Sequence, residues 1–297
     1  MILASPILNP KPKFGGHFSK SLAISSNPLL RCSFFSTKFS STLLKCHCCT
    51  HNKDTDKSTQ GFSVLTSDIP WKTESLWSTM ALYMFNLHIP LGFGGLSIVS
   101  YLLHQPVLDP QTEALSLLVI DTLELLATFF LLKSTIKPNN RLLDIFKVNP
   151  LEGNWLLASA LGFGVLILLV FLTSIVVDGL YGIKDVNNLI LKEMLVRSDI
   201  SKGACITVYC IITPILEEMV YRGFMLASLA STMNWKQAVV ISAAVFSAAH
   251  LSGENFLQLF VIGCILGCSY CGTGNLSSSI LIHSLYNAFT LIITFLS

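Results

Sequence analysis

The stretch ACITVYCIITPILEEMVYRGFMLASLA, residues 204–230, decides the fold. It is apolar and long enough to cross a hydrocarbon layer of about 30 Å at about 1.5 Å per residue. Yet Glu217, Glu218 and Arg222 sit in its middle, while ACITVYCIITPIL before them and FMLASLA after them carry no charge. A charge at that depth costs roughly 3 kcal/mol on insertion scales, so such groups pair with one another, line a wet cavity or do chemistry.

The rest of the chain agrees with a membrane protein. Of 297 residues, 52% are hydrophobic and only 12% charged, where soluble domains have about 25% charged residues. The mean hydropathy is +0.64. A net charge of +2 predicts no nucleic-acid partner, but it conceals an asymmetry. Seven of the 19 Lys and Arg precede Asp54, the first acidic residue, leaving 12 basic against 17 acidic residues from there on.

That acid-free, serine-rich leader, residues 1–50, has no uninterrupted apolar core and reads as an organelle transit peptide. Its basic residues are mostly Lys rather than Arg, which favours a plastid, and so a multi-pass chloroplast membrane protein, over a mitochondrion. Residues 51–75 read as an unstructured polar linker. The leader's CHCC, residues 46–49, has metal-binding chemistry, whereas Cys264, Cys268 and Cys271 recur about once per helical turn and read as small packing residues. No disulfide framework is evident.

Apolar segments follow at about 79–103, 113–133, 154–177, 204–230, 237–251, 255–272 and 276–296, the fifth and sixth being short. The expected fold is all-α: a polytopic helix bundle of about seven spans around a polar intramembrane cavity. The first two spans fall in 76–150 and the remainder in a domain over 151–297. The loop with Lys133, Lys137, Arg141 and Lys147 faces the side of synthesis by the positive-inside rule. Residues 186–197 read as an amphipathic helix at the surface.

The ionisable and amide groups of the last four spans are Glu217, Glu218, Arg222, His250, His283 and Asn287. Glu218 and Arg222 are i and i+4, on one helix face, and suited to a desolvated ion pair. Glu217 is turned about 100° away and cannot share that arginine equally. Pro214, one turn upstream, removes a backbone donor, and irregular backbone at that depth belongs inside protein or beside a cavity. Phe246 precedes His250 by four residues, and His283 precedes Asn287 by four, so each pair shares a face. Two imidazoles and a carboxylate could bind zinc through Glu217, His250 and His283. Alternatively, Glu217 and His250 could activate a water while His283 and Asn287 stabilise an oxyanion. Either route hydrolyses an amide. The common competing signatures, HExxH, GxSxG, GxxxxGK[ST] and GxGxxG, are absent. Singly, each pair is more often structural than catalytic; the occurrence of three together points to chemistry. Asp121 and Glu124, one turn apart in the second span, read as a pair satisfied by a neighbour or lying beside the cavity.

EEMVYR, FSAAH and HSLYN match EExxxR, FxxxH and HxxxN, in order, and in this the chain resembles the CPBP family of intramembrane proteases. That family includes the type II CAAX prenyl proteases and proteins like lysostaphin resistance protein A. The resemblance covers roughly residues 155–297. It implies a helical membrane core, Glu217 with His250 as the water-activating pair, His283 and Asn287 as oxyanion donors, and Glu218, Arg222 and Phe246 as supporting pocket residues. No obligate zinc is expected. The implied partners are membrane lipids and a protein or peptide substrate at the membrane. Plant members of the family resemble this chain in having plastid leaders, and a non-proteolytic scaffold that stabilises a membrane-protein partner is the alternative function. A transporter is disfavoured because no inverted repeat is seen.

Overall fold

The computed structural model describes residues 62–65, 69–138, 155–181, 188–253 and 255–297. The expected transit peptide, the CHCC cysteines, and Arg141 and Lys147 of the basic loop lie outside these residues. Within them the chain is helical: α1 (Thr73–Phe93), α2 (Gly95–Leu102), α3 (Pro110–Thr135), α4 (Trp155–Tyr181), α5 (Leu189–Arg197), α6 (Asp199–Ala230), α7 (Trp235–Ala249), α8 (Phe256–Thr273) and α9 (Leu276–Leu296).

Five helices, α3, α4, α6, α8 and α9, are long and apolar enough to cross a membrane, and α1 with α2 makes a sixth if the bent pair is one span. The sequence leads one to expect about seven. The difference is α7, which has 15 residues, about 22 Å of helix at 1.5 Å per residue and short of a hydrocarbon core. The α1–α2 pair is bent by 48°. Pro90 lies inside α1, where the winding widens to a π-helix over Tyr83–Phe93, since a missing N–H and a crowding ring disrupt the ladder there. Gly94 sits at the bend, where a Cβ would come within 2.6 Å of the Pro90 carbonyl oxygen.

Local signals set the other boundaries. Asp109 caps α3 by accepting from the Thr112 N–H at 3.3 Å, with Pro110 in the first turn, the arrangement that satisfies a helix's unpaired first donors. Between α8 and α9, Gly274 takes the left-handed conformation at φ 63°, and Asn275 then accepts from the Ser277 N–H at 2.9 Å to start α9. That turn brings α9 back against α8 and so delivers His283 to the bundle interior.

The core lies where α6, α7, α8 and α9 meet. Gly263 of α8 passes so close to α7 that a Cβ would be 2.9 Å from the Ala243 Cβ. In α4, by contrast, only 6% of the most apolar window, of mean hydropathy 2.8, is buried; a helix that is apolar all round suits lipid on its open sides. The amphipathic segment forms α5, which turns Leu191, Met194 and Leu195 inward and packs on α3, α6 and α9.

The described part of the expected linker is packed rather than unstructured. The Val64 N–H donates to the Cys271 carbonyl at 2.9 Å, and Phe62 lies 5.0 Å from the Trp235 ring. Trp71 is buried and donates from Nε1 to the Ser228 hydroxyl at 2.6 Å. Lys137 ties this stretch to the end of α3, its backbone N–H donating to the Pro70 carbonyl at 2.8 Å and its Nζ to the Ile69 carbonyl at 3.1 Å. The polar average of this stretch hides Ile69 and Trp71, which enter the core, and Leu65, which packs against it, while Phe62 remains half exposed beside Trp235.

Candidate active site

Helix α6 carries the charges. Its winding changes twice around them, to π over Val208–Ile212 and again over Met219–Leu226, with Thr213–Glu218 as a short α-helical piece between. π-Winding in an otherwise α-helical span frequently accompanies function. Pro214 has no N–H to offer the carbonyls one turn back, and the Tyr209 carbonyl instead accepts from Asn287 Nδ2 at 2.8 Å. The amide of α9 thus stands in for a donor that α6 lacks.

Glu218 and Arg222 form a fully buried pair, with Nη1 at 2.8 Å from Oε1. The guanidinium also donates through Nη2 to the Gly263 carbonyl at 3.2 Å and lies over the Phe246 ring, 4.4 Å from its centroid. The same Glu218 Oε1 accepts from His283 Nδ1 at 2.9 Å. Nδ1 therefore carries a proton, and Nε2 is an acceptor in the neutral ring and a donor only if a second proton is added. The step of one residue, about 100° around the helix, turns Glu217 to the histidines: Oε1 is 3.6 Å from His250 Nε2 and Oε2 is 3.7 Å from His283 Nε2. His250 donates its Nδ1 proton to the Phe246 carbonyl at 2.7 Å, which leaves its Nε2, too, facing Glu217 as an acceptor.

Of the residues singled out by the sequence, Glu217, Glu218, Arg222, Phe246, His250 and His283 thus form one buried cluster. Asn287 is wholly buried one turn beyond His283, with its amide nitrogen on the Tyr209 carbonyl. The cluster turns on Phe246. Its ring touches His250 edge-on at 4.7 Å, His283 at 6.4 Å and Tyr221 at 5.2 Å, in addition to Arg222.

Chemically, the centre offers carboxylate and imidazole acceptors side by side, at distances slightly beyond direct bonding. Such a pair can share a donor such as water between its members. A zinc ion would draw on Glu217, His250 and His283. Among the described residues, no group of three or more His, Cys, Asp or Glu is placed to hold an ion, and no step below passes through one.

Two groups that the sequence reading overlooked lie in α1. The Tyr83 hydroxyl donates to Glu124 Oε1 at 3.2 Å, and His88 Nδ1 reaches the same oxygen at 2.9 Å. Glu124 is therefore satisfied by neighbours from another span, and Asp121 accepts from the Thr213 hydroxyl of α6 at 3.2 Å. The rule that drew attention to Asp121, an ionisable group in an apolar run, would also have found His88, two residues before Pro90.

Comparison with known proteins bears on the same region. Residues 201–289 match the model of a family described as type II CAAX prenyl endopeptidase Rce1-like. Over 143 residues the chain is 28% identical to the membrane-embedded CAAX protease MroQ of Staphylococcus aureus. That match covers 46% of this chain and 57% of the bacterial protein. No solved structure matches.

Proposed function

We propose that this chain, whose residues 201–289 belong to the CPBP family, is an intramembrane endopeptidase that hydrolyses peptide bonds of membrane-associated proteins. The observation that carries the reading is the placing of Glu217 against both His250 and His283 inside a span-length helix. In the proposed reaction, a water shared by Glu217 and His250 Nε2 attacks the carbonyl carbon as its proton passes to the glutamate. His283, doubly protonated, and the second N–H of Asn287 donate to the oxyanion that forms. The glutamate then returns the proton to the leaving nitrogen, the C–N bond breaks, and a carboxyl and an amino terminus result. Glu218 and Arg222 hold His283 and the helix in register. This is glutamate-type chemistry without obligate zinc, so exhaustive chelation leaves the activity in place. Loss of activity on chelation, restored by zinc, overturns that part of the reading.

The substrate class proposed is the one that the similar proteins' descriptions name, CAAX-type peptides at a membrane, and the proposed location is a multi-pass plastid membrane protein. The test compares membranes from a line lacking the protein after complementation with wild type or with Glu217→Gln, reading newly formed peptide termini by mass spectrometry. Cleavage is expected with wild type and slowed by roughly 10²–10⁴ in the variant, the usual worth of a general base. Equal rescue by both versions would replace the protease with the scaffold reading.

A further inference from the structure

The two N-terminal spans lie outside the matched residues 201–289, yet they touch the catalytic cluster through an unbroken row of rings. His88 stacks on Tyr83 with centroids 5.4 Å apart, and Tyr83 meets Tyr221 edge-on at 6.4 Å. Tyr221 in turn meets Phe246 edge-on at 5.2 Å, and Phe246 meets His250 at 4.7 Å. Edge-to-face contacts of this kind are directional as well as attractive. The row begins at a carboxylate, Glu124, which is 2% exposed in the middle of α3 and receives both the Tyr83 hydroxyl and His88 Nδ1.

We infer that Tyr83, anchored by Glu124, is a positioning residue for the proposed peptidase reaction: it fixes Tyr221 and Phe246 and so sets the ring planes of His250 and His283. The inference rests on the functional reading above, and it answers why a glutamate is kept at a depth where it costs several kcal/mol to insert unless paired. The His250 ring donates from Nδ1 to the Phe246 carbonyl and turns Nε2 to Glu217 at 3.6 Å, and the Phe246 ring, 4.7 Å away, limits its tilt. Phe246 is gripped on its face by Arg222 and on its edge by Tyr221. Tyr221 is itself buried in the core, and among the described residues its hydroxyl donates to the Met84 sulfur at 3.8 Å, so its ring is held by packing and not by a strong hydrogen bond. Without the Tyr83 ring, Tyr221 can shift into the space that ring vacates, Phe246 follows, and Glu217 and His250 no longer meet a common water. A displacement of this size is costly because rate depends steeply on alignment.

The experiment uses the full chain in lipid nanodiscs and three variants, Tyr83→Leu, Tyr83→Phe and Glu124→Gln. The probe for hydrolysis is a fluorogenic prenylated CAAX-type peptide. Tyr83→Leu is expected to lower kcat at least tenfold with KM within about twofold, since alignment rather than ground-state binding is lost. Tyr83→Phe keeps the ring though not the hydroxyl bond to Glu124, and should bring kcat to within a few-fold of wild type; Glu124→Gln, which keeps an oxygen to accept that bond, should fall no lower than Tyr83→Phe. An unchanged kcat in Tyr83→Leu, or a loss that phenylalanine does not rescue and that tracks the folded fraction on heating, overturns the inference. A second readout needs no substrate. The imidazole ¹H–¹⁵N signals of His250 and His283 should move in Tyr83→Leu and stay near wild type in Tyr83→Phe; unmoved signals in both overturn it. If wild type cleaves no probe while these signals move as expected, the functional reading fails and the positioning of the rings by Tyr83 stands.

Discussion

His283 donates its Nδ1 proton to Glu218 Oε1 at 2.9 Å, on the same oxygen that Arg222 holds at 2.8 Å. One carboxylate oxygen therefore couples α6 to α9 and fixes which nitrogen of His283 turns toward Glu217. The second oxygen of Glu218 is buried and, among the described residues, has no hydrogen-bond partner, so if the arginine is lost the single bond from His283 is what remains on this charge.

Arg222→Ala should therefore be strongly destabilising, by about 3–5 kcal/mol, because it strands a buried carboxylate. Arg222→Ala combined with Glu218→Gln should recover part of that loss, since the stranded charge is gone. Thermal unfolding in detergent, compared across the two single variants and the double, measures the coupling. Additive losses would mean the pair does not act as a unit.

Phe246→Leu keeps an apolar side chain but removes the ring that Arg222, Tyr221 and His250 all contact. A stability loss of about 1–3 kcal/mol is expected from imperfect refilling and the lost cation–π contact. Peptidase activity should fall further than stability does, because His250 loses its edge contact while the backbone carbonyl that takes its Nδ1 proton remains. Steady-state kinetics on the folded fraction separates the two effects.

The packed segment before α1 predicts where the chain tolerates shortening. Removal of residues 1–61 sets the reference thermal midpoint. Removal through Lys72 also takes away the buried Ile69 and Trp71 and the partly buried Leu65, and should cost several kcal/mol relative to it, at about 1.5–3 kcal/mol for each large apolar side chain fully buried. Trp71→Phe alone should cost about 1 kcal/mol, the worth of its bond to Ser228. If the longer truncation melts like the shorter, the contacts of Trp71 contribute nothing to the fold.

Much of this molecule was decided by local rules. Span-length apolar runs determine helices across a membrane because no other open structure satisfies its own backbone in lipid. The four-residue spacing of Glu218 and Arg222 puts them on one face, and the step from Glu218 to Glu217 turns the second carboxylate away from the arginine. Those facts follow from helix geometry alone. The sequence could not decide that Asn287 would serve the Tyr209 carbonyl left without a donor near Pro214, or that His283 would reach Glu218 with one nitrogen and face Glu217 with the other. Such choices depend on how α9 lies against α6, which the Gly274 turn and the packing of α8 set together. Nor could periodicity reveal that Trp71 is core, since one tryptophan in a polar stretch has no period to read. The row from Glu124 through Tyr83 and Tyr221 to Phe246 belongs to no single segment. It exists only because α1, α3, α6 and α7 close on one another, bringing together side chains far apart in the chain whose packed shapes determine where each can rest.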